Sequence, residues 1–276
     1  MPSQNQTKPE PFGNMPSKVK KPNSFGSLEA IIEYASVHTY LFARLRKVSQ
    51  GTRIQTLGTA FLAGKNRMVT CAHCINDPSS QNVLQKHQDG DSYLFVQKDQ
   101  YGNGGQSVIT PKFNRELFCL DDIDTAVFYL PDDFYQADGS WNRNPLNHLN
   151  FSDSYLPIGA DVGVAGYPLQ EIRVGTNGVD PSSFTIRADR GVVNTRYTTG
   201  DGVKYYEFTM SFNPGNSGGP IFNLDTGSVI GLVHGFTAFP VIMSNGTPVY
   251  STYSQAISSE SINRFAKKHS LSFLKN

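Results

Sequence analysis

Residues 204–235 read KYYEFTMSFNPGNSGGPIFNLDTGSVIGLVHG. Three short segments in this stretch, KYYEFTM, GPIFN and SVIGLVH, are rich in aromatic and β-branched residues, and turns of Gly, Asn, Asp and Pro separate them. Short segments at this spacing are typical of antiparallel strands. The stretch therefore predicts an all-β architecture, either a sandwich or a barrel.

The same pattern of short β-rich segments separated by turns extends along most of the chain on both sides of this stretch. No strand–helix–strand alternation interrupts it, so we do not expect a parallel sheet. The further β-rich segments are VHTYLFARL, RIQTLGTAFLA, RMVTCAH, SYLFVQ, TAVFYL, DVGVAGY, SFTIRADRGVV and TPVYSTY.

Helical patterns lie at the two ends of the β-rich region. Ser27 can cap a short helix over LEAIIEYA, whose apolar residues follow helical spacing. SINRFAKKH predicts a second helix, at about residues 258–269, with Lys267 and Lys268 in its last turn. Residues 1–26 are rich in Pro, Ser, Asn, Gln and Lys, and we expect them to form a flexible tail.

Composition excludes several classes of function. The formal net charge of the 276 residues is +1, which provides no strong field for recruiting nucleic acid. No run of about 18 apolar residues predicts a transmembrane helix, and the first residues lack the apolar core of a secretory signal. We therefore expect a cytoplasmic protein with no membrane or nucleic-acid partner.

The cysteines do not predict a metal site. Cys71 and Cys74 form a C-x-x-C pair, and the third cysteine is Cys119, so no second ligand pair exists at similar spacing. We expect neither a bound metal nor a cofactor.

Three segments contain residues suited to nucleophilic catalysis: MVTCAHC with His73, DIDTAVFYL with Asp124, and NPGNSGGP with Ser217. Each is a weak signal by itself, because a lone His is more often structural and a lone Asp is more often a solvated turn residue. The glycines around Ser217 permit a tight turn that aims the N–H groups of Gly215 and Ser217 at one point. The chain order His, Asp, Ser is one of three orders known for a catalytic triad.

Together these segments resemble a known family. TCAHC, DTAV and GNSGGP are similar to the three catalytic motifs of trypsin-like serine peptidases, and VAGYP (164–168) and VIGLVHG (229–235) also resemble that family. The match is closest to bacterial glutamyl endopeptidases and high-temperature-requirement proteases. It extends from about His38 to the C-terminal helix.

The resemblance implies a chymotrypsin-like fold of two antiparallel six-stranded β-barrels with the site in the cleft between them. The peptidase domain would span residues 27–276, with the first barrel at about 38–150 and the second at about 151–256. His73 and Asp124 would come from the first barrel and Ser217 from the second. Side chains alternate along a strand, so Asp122 would point to the same side as Asp124. Only Asp124 lies in the Asp-x-Ala-Val pattern of the family.

The same resemblance implies a serine endopeptidase that acts on protein or peptide substrates. His73 would take the proton of Ser217, Asp124 would fix the tautomer of the imidazole, and the N–H groups of Gly215 and Ser217 would bind the oxyanion.

Two residues depart from the pattern of zymogen-activated relatives. Asn216 stands where those enzymes have an Asp that pairs with a newly freed N-terminus, so we expect no such activation step. Cys74 matches a half-cystine of the animal enzymes, but the expected partner region has no cysteine. We therefore expect Cys74 to be a small buried residue.

The specificity pocket is less defined. Ser211 stands near the position where trypsin-type enzymes have an acid, which predicts that cleavage does not follow Lys or Arg. His234, beside Gly235, could be the counterpart of the histidine of glutamyl endopeptidases, although its register is off by one. The P1 residue of the substrate could thus be acidic, or it could be small or apolar.

Two other functions remain open. A latent or inactive member of the family could serve as a peptide-binding module or need an activating partner. An unrelated hydrolase, such as an esterase, could use the same nucleophile. A serine-reactive fluorophosphonate labels an active enzyme and not a latent or inactive member. A peptide substrate distinguishes a peptidase from an esterase.

Overall fold

The computed structural model describes residues 26–49, 51–64, 67–75, 90–98, 106–109, 117–120, 123–129, 149–169, 174–175, 178–179 and 184–268. Residues 1–25 of the predicted tail, Asp122 and residues 130–148 lie outside these ranges. The described part contains three helices and fifteen strands. None of these helices is long and apolar enough to cross a membrane.

The first half of the chain forms a seven-stranded sheet in the order β5-β4-β1-β2-β3-β7-β6, one strand more than expected. Its strands are β1 (Thr39–Val48), β2 (Gly51–Leu62), β3 (Arg67–Cys71), β4 (Ser92–Lys98), β5 (Gln106–Ile109), β6 (Leu117–Leu120) and β7 (Thr125–Tyr129). All its ladders are antiparallel.

The second half forms a closed barrel in the order β11-β12-β15-β14-β13-β8. Its strands are β8 (Asp161–Gly166), β11 (Arg187–Thr198), β12 (Lys204–Phe208), β13 (Pro220–Asn223), β14 (Val229–Ile242) and β15 (Pro248–Ser258). Two short strands, β9 (Val174–Gly175) and β10 (Gly178–Val179), pair outside it. The closed antiparallel barrel next to a second antiparallel sheet confirms the predicted chymotrypsin-like fold class.

Both terminal helices are present. In α1 (Leu28–Ser36), the hydroxyl of Ser27 accepts a hydrogen bond from the N–H of Ala30, which is the expected N-cap. Ile31 and Ala35 are fully buried. A Cβ on Gly163 would lie 2.5 Å from Ile31 Cδ1, so the absence of a side chain in β8 lets this helix lie against the barrel.

The C-terminal helix α3 (Ser259–Lys268) begins one residue later than predicted, and the predicted last residue, 269, lies outside the described residues. Its apolar residues Ile262 and Ala266 are buried, and Phe265 is partly buried against the same core. The last turn carries Lys267 and Lys268 as the sequence indicated. The helix therefore covers the barrel with one amphipathic face.

The core of the first sheet is built from stacked and edge-on aromatic rings. Phe42 lies 5.2 Å from Phe95 and 5.5 Å from Phe128, measured between ring centroids, and these side chains come from β1, β4 and β7. Aromatic pairs of this kind contribute about 0.5–1.5 kcal/mol each beyond their buried area. They hold β7 in place, and β7 pairs with β3. The segments adjoining these two strands form the candidate site.

Candidate active site

His73 lies in α2 (Ala72–Ile75), a single helical turn that follows β3 directly. β3 is flanked by β2 and β7, and its residues from Met68 to Cys71 are buried, so the strand gives the turn a rigid base. The fully buried Arg44 donates a hydrogen bond from Nη2 to the carbonyl of Ile75 at the end of the turn. Both ends of the turn that carries His73 are thus fixed.

Asp124 lies at the point where β7 begins. β3 and β7 pair Cys71 with Thr125, which places Asp124 beside Ala72, and the N–H of Ala72 donates to the Asp124 carbonyl at 3.1 Å. Asp124 has a φ of 47°. Asp tolerates this left-handed region better than most side chains. The unusual backbone turns the carboxylate toward His73.

The carboxylate of Asp124 contacts His73 through both oxygens. Oδ1 accepts the backbone N–H of His73 at 2.7 Å, and Oδ2 lies 2.6 Å from the ring Nδ1. The His73 side chain is 31% exposed and that of Asp124 is 18% exposed. The ring is therefore held by the carboxylate while it still faces solvent.

Electrostatics favour the ionised carboxylate. Burial raises the pKa of Asp124, but hydrogen bonds from His234 and His73 outweigh it and hold the pKa well below its ordinary range. Burial lowers the pKa of His73, but negative charge at Cys74 and Asp124, with hydrogen bonds to both, raises it above its ordinary value overall. Asp124 is thus an acceptor at neutral pH, and His73 is a stronger base than a free imidazole.

A second histidine reaches the same carboxylate from the barrel. Nδ1 of His234, in β14, lies 2.7 Å from Oδ2 of Asp124. The rings of His234 and His73 meet edge to face with their centroids 5.9 Å apart. The sequence pointed to His234 as a substrate-binding residue but gave no sign that it contacts Asp124.

The loop that carries Ser217 is clamped between the sheet and the barrel. The carbonyl of Ser217 accepts the N–H of Thr59, in β2, at 2.9 Å, and Cys74 Sγ lies 3.8 Å from the same oxygen. On the other side, the N–H of Gly218 donates to the carbonyl of Val233 at 2.8 Å. These contacts bring Ser217 beside the turn that carries His73.

Glycines are required where this loop meets the first sheet. A Cβ on Gly58 would lie 2.7 Å from the Ser217 carbonyl oxygen. Gly218 has a φ of +86°, and a Cβ there would lie 2.1 Å from the Thr59 carbonyl oxygen. Side chains at these two positions would push the loop away from β2.

The expected oxyanion donors lie in the same loop. Within the described part of the chain, the N–H groups of Gly215 and Ser217 make no hydrogen bond, whereas the intervening N–H of Asn216 donates to Asn213. The Pro214 carbonyl accepts the N–H of Leu169 at 2.7 Å. A trans peptide points its C=O and N–H to opposite sides, so this contact turns the Gly215 N–H away from Leu169.

Two residues that support this loop were missed by sequence reasoning. Thr59 Oγ1 donates to the Gly215 carbonyl at 2.7 Å and accepts the N–H of Tyr167 at 3.0 Å. Leu169 adopts a φ of 54° and is exposed. VAGYP predicted only that this segment resembles the family, and no local signal marks a Thr as the link between three segments.

The tentative substrate-binding residues lie along one side of the barrel. Ser211 is exposed, and its neighbour Phe212 donates its N–H to the hydroxyl of Ser254, a residue of β15 that pairs with β14 beyond His234. A Cβ on Gly235 would meet nothing within 4 Å among the described atoms. Open space therefore lies next to His234.

Cys71, His73 and Asp124 place potential metal-ligand atoms within 4.8 Å of one another. Each of these side chains already has a partner, since Cys71 Sγ donates to the Val233 carbonyl at 3.0 Å and His73 bonds Asp124. Burial raises the pKa of Cys71 well above its ordinary value, which disfavours the thiolate that a metal needs. Cys71 and Cys74 are buried and form no disulfide, as expected for Cys74.

Comparison with protein families identifies the chain. A model of the trypsin-like peptidase domain matches residues 58–232, which contain all three predicted catalytic residues. The chain belongs to the trypsin-like peptidase family. This confirms the resemblance drawn from TCAHC, DTAV and GNSGGP.

The chain is also similar to individual proteins. The chain is 28% identical over 226 residues to Protease Do-like 2, chloroplastic, of Arabidopsis thaliana, covering 80% of this chain and 29% of that protein. It thus spans less than a third of that curated relative. Among solved structures, the HtrA-type protease AlgW with decapeptide is 14% identical with a TM-score of 0.54, covering 90% of this chain and 67% of that one. A serine endoprotease from Yersinia pestis is 16% identical with a TM-score of 0.49, covering 88% and 66%. The likeness to AlgW shows the shared fold.

Proposed function

We propose that this trypsin-like peptidase is an active serine endopeptidase in which Ser217 is the nucleophile, His73 the general base and Asp124 the residue that orients His73. The observation that carries the proposal is the 2.6 Å contact between His73 Nδ1 and Asp124 Oδ2 beside the clamped Ser217 loop. An ionised carboxylate can only accept, so Nδ1 carries the hydrogen and Nε2 is left as the base.

Catalysis would proceed through an acyl-enzyme. Ser217 Oγ attacks the scissile carbonyl carbon while its proton passes to His73 Nε2, and the carbonyl oxygen becomes an oxyanion. The unbonded N–H groups of Gly215 and Ser217 stabilise that charge. His73 then protonates the leaving amine, and water, deprotonated by His73, hydrolyses the ester and regenerates Ser217.

The substrate would be a peptide or protein chain. AlgW, which shares the fold, was solved with a decapeptide, and this supports a peptide in the cleft of the present chain. We further propose a non-basic P1 residue, because Ser211 supplies no charge to pair with Lys or Arg. An acidic P1 residue would have to contact Nε2 of His234, since Nδ1 of that ring is bonded to Asp124.

One experiment tests both activity and specificity. The purified protein and its Ser217→Ala variant are each incubated, in separate reactions, with a fluorophosphonate probe and with a diverse peptide pool, and products are sequenced by mass spectrometry. We expect labelling at Ser217 and cleavage products that the variant does not form. Enrichment of Lys or Arg at P1 would contradict the non-basic preference.

The alternative is a latent or non-catalytic member that binds peptides or awaits a partner. In the described part of the chain, the hydrogen bonds of Ser217 involve its carbonyl and not its hydroxyl. The hydrogen bond between a catalytic serine and its base often tightens only when substrate binds. A Ser217 hydroxyl without this bond is therefore compatible with an active enzyme. A folded protein that is neither labelled nor cleaves any peptide would favour the alternative.

A further inference from the structure

The carboxylate of Asp124 accepts three N–H groups. Oδ1 accepts the backbone N–H of His73 at 2.7 Å, and Oδ2 is shared by Nδ1 of His73 at 2.6 Å and Nδ1 of His234 at 2.7 Å. Because an ionised carboxylate has no hydrogen to donate, both rings must carry theirs on Nδ1. His234 is thus a donor to the same oxygen that orients His73.

His234 reaches Asp124 because of an irregularity in its strand. In the pairing of β14 with β15, Val233 lies opposite Ala256 and Gly235 lies opposite Gln255, so His234 is the extra residue of a β-bulge. Bulges redirect a side chain relative to regular alternation. This one turns the ring out of the barrel and toward the first sheet.

The backbone next to the bulge is fixed on the side of the nucleophile. The Val233 carbonyl accepts both the N–H of Gly218 at 2.8 Å and Cys71 Sγ at 3.0 Å, and the N–H of Val233 donates to Gly219 at 2.9 Å. The backbone from which the His234 ring projects is thus held in place relative to the loop of Ser217. The contact between His234 and Asp124 therefore joins the barrel to the acid and base of the first sheet.

The remaining neighbours of His234 do not compete for Nδ1. Tyr205, in β12, meets the ring edge to face at 5.9 Å, and burial raises the pKa of its phenol to about 12, so it stays neutral. Cys71 is committed to the Val233 carbonyl. Asp124 and His73 are the charged or titratable groups that face the ring from the first sheet.

We propose that His234 is a positioning residue: by donating its Nδ1 hydrogen to Asp124 Oδ2, it fixes the carboxylate that orients His73. This inference rests on the proposed endopeptidase function. It assigns His234 a role through Asp124 and differs from the direct substrate contact that the sequence suggested.

Two amide substitutions separate the two roles. The side-chain nitrogen of Asn falls near the position of Nδ1, and that of Gln falls near Nε2, so each variant keeps one of the two donors. We expect His234→Asn to keep kcat within about threefold and His234→Gln to lose about 10- to 100-fold in kcat with little change in KM, because one bond to a charged group is worth about one to two powers of ten.

The opposite pattern would overturn the inference. If His234→Gln kept kcat while His234→Asn raised KM and lost an acidic P1 preference, the residue would contact the substrate through Nε2. Equal kinetics for both variants and the wild type would show that the contact has no effect on the reaction. Thermal unfolding of both variants verifies that each is folded in the assay.

A measurement that does not need activity keeps the inference separate from the proposed function. With ¹⁵N-labelled histidine, the wild type should show two slowly exchanging Nδ1–H signals, and His234→Asn should remove one of them. A wild type that cleaves peptides but shows one such signal would overturn the inference. A wild type that shows both signals but neither cleaves nor labels would overturn the proposed function and support the contact.

Discussion

Replacing Asp124 with Asn tests how the site controls the tautomer of His73. Asn has the same shape but offers one acceptor oxygen and one NH₂ group. If the oxygen faces the backbone N–H of His73, the two hydrogens of the amide point at the two ring nitrogens that Oδ2 now joins. This arrangement satisfies every group, provided that both rings move their hydrogen to Nε2.

The structure therefore predicts a large loss of activity and a small loss of stability. With its hydrogen on Nε2, His73 cannot take the proton of Ser217. The same exchange in a Ser-His-Asp triad lowers kcat by about 10⁴-fold, which corresponds to about 5 kcal/mol in the barrier. The cost in unfolding free energy should be about 1–3 kcal/mol, because charge-assisted hydrogen bonds become neutral ones.

The assay combines kcat on a peptide taken from the library experiment with chemical unfolding of the wild type and Asp124→Asn. Asp124→Ala is the matched control, because it removes the acceptor and leaves an uncompensated cavity among three donors. It should lose more stability than Asp124→Asn. An Asn variant whose kcat stays within tenfold of the wild type would refute the tautomer argument.

Four other predictions concern the oxyanion loop and the pH dependence of activity and stability. Gly215→Ala should lower kcat by about 100-fold or more, because its φ is +98° and the added Cβ would lie 2.6 Å from the Tyr167 carbonyl oxygen; probe labelling at an unchanged rate would contradict this. Leu169→Pro should lower kcat at least about tenfold, because it deletes the N–H that orients the loop and its ring cannot adopt the φ of 54° found here. Leu169→Gly keeps both the N–H and this φ, and therefore the activity; equal rates for the two variants would remove the role. The value of kcat/KM should rise with pH, and the midpoint of this rise should lie above about 6.5 because the pKa of His73 is raised. A midpoint below about 6.5 would contradict the pairing of the His73 ring with Asp124. Because the pKa of Asp124 is lowered on folding, its stabilisation is present above an unfolded pKa of about 3.9, so the unfolding free energies of wild type and Asp124→Asn should converge as pH falls below about 4.

The fold class could be predicted from sequence because its signals are local. Short β-rich segments, the cap at Ser27 and the amphipathic pattern around Ile262 each depend on neighbours within a few residues. The number of strands in the first sheet could not be predicted from the sequence. A segment joins the edge of a sheet only by pairing with a strand that is distant in the chain. β5 and β6 occupy the two edges of that sheet and are four residues long each.

The candidate triad could also be proposed from the sequence, but the contacts around it could not. His73, Asp124 and Ser217 lie in three motifs that are weak signals separately and distinctive in combination. The direction of the His234 side chain depends on a one-residue shift between β14 and β15, which no property of VIGLVHG reveals. His234, whose register in the sequence was off by one from the family pattern, is the extra residue of this bulge.

The site exists only where the two halves of the chain meet, and backbone groups make most of the connections. Thr59 holds the carbonyls of both Ser217 and Gly215, while Val233 holds Gly218 and Cys71. His234 is different, because it is a side chain from the barrel that contacts the acid of the first sheet directly. A small shift between sheet and barrel would therefore separate Ser217 from His73 and would also break the contact of His234 with Asp124. Activity and the packing of the two halves should consequently respond together to changes at this junction.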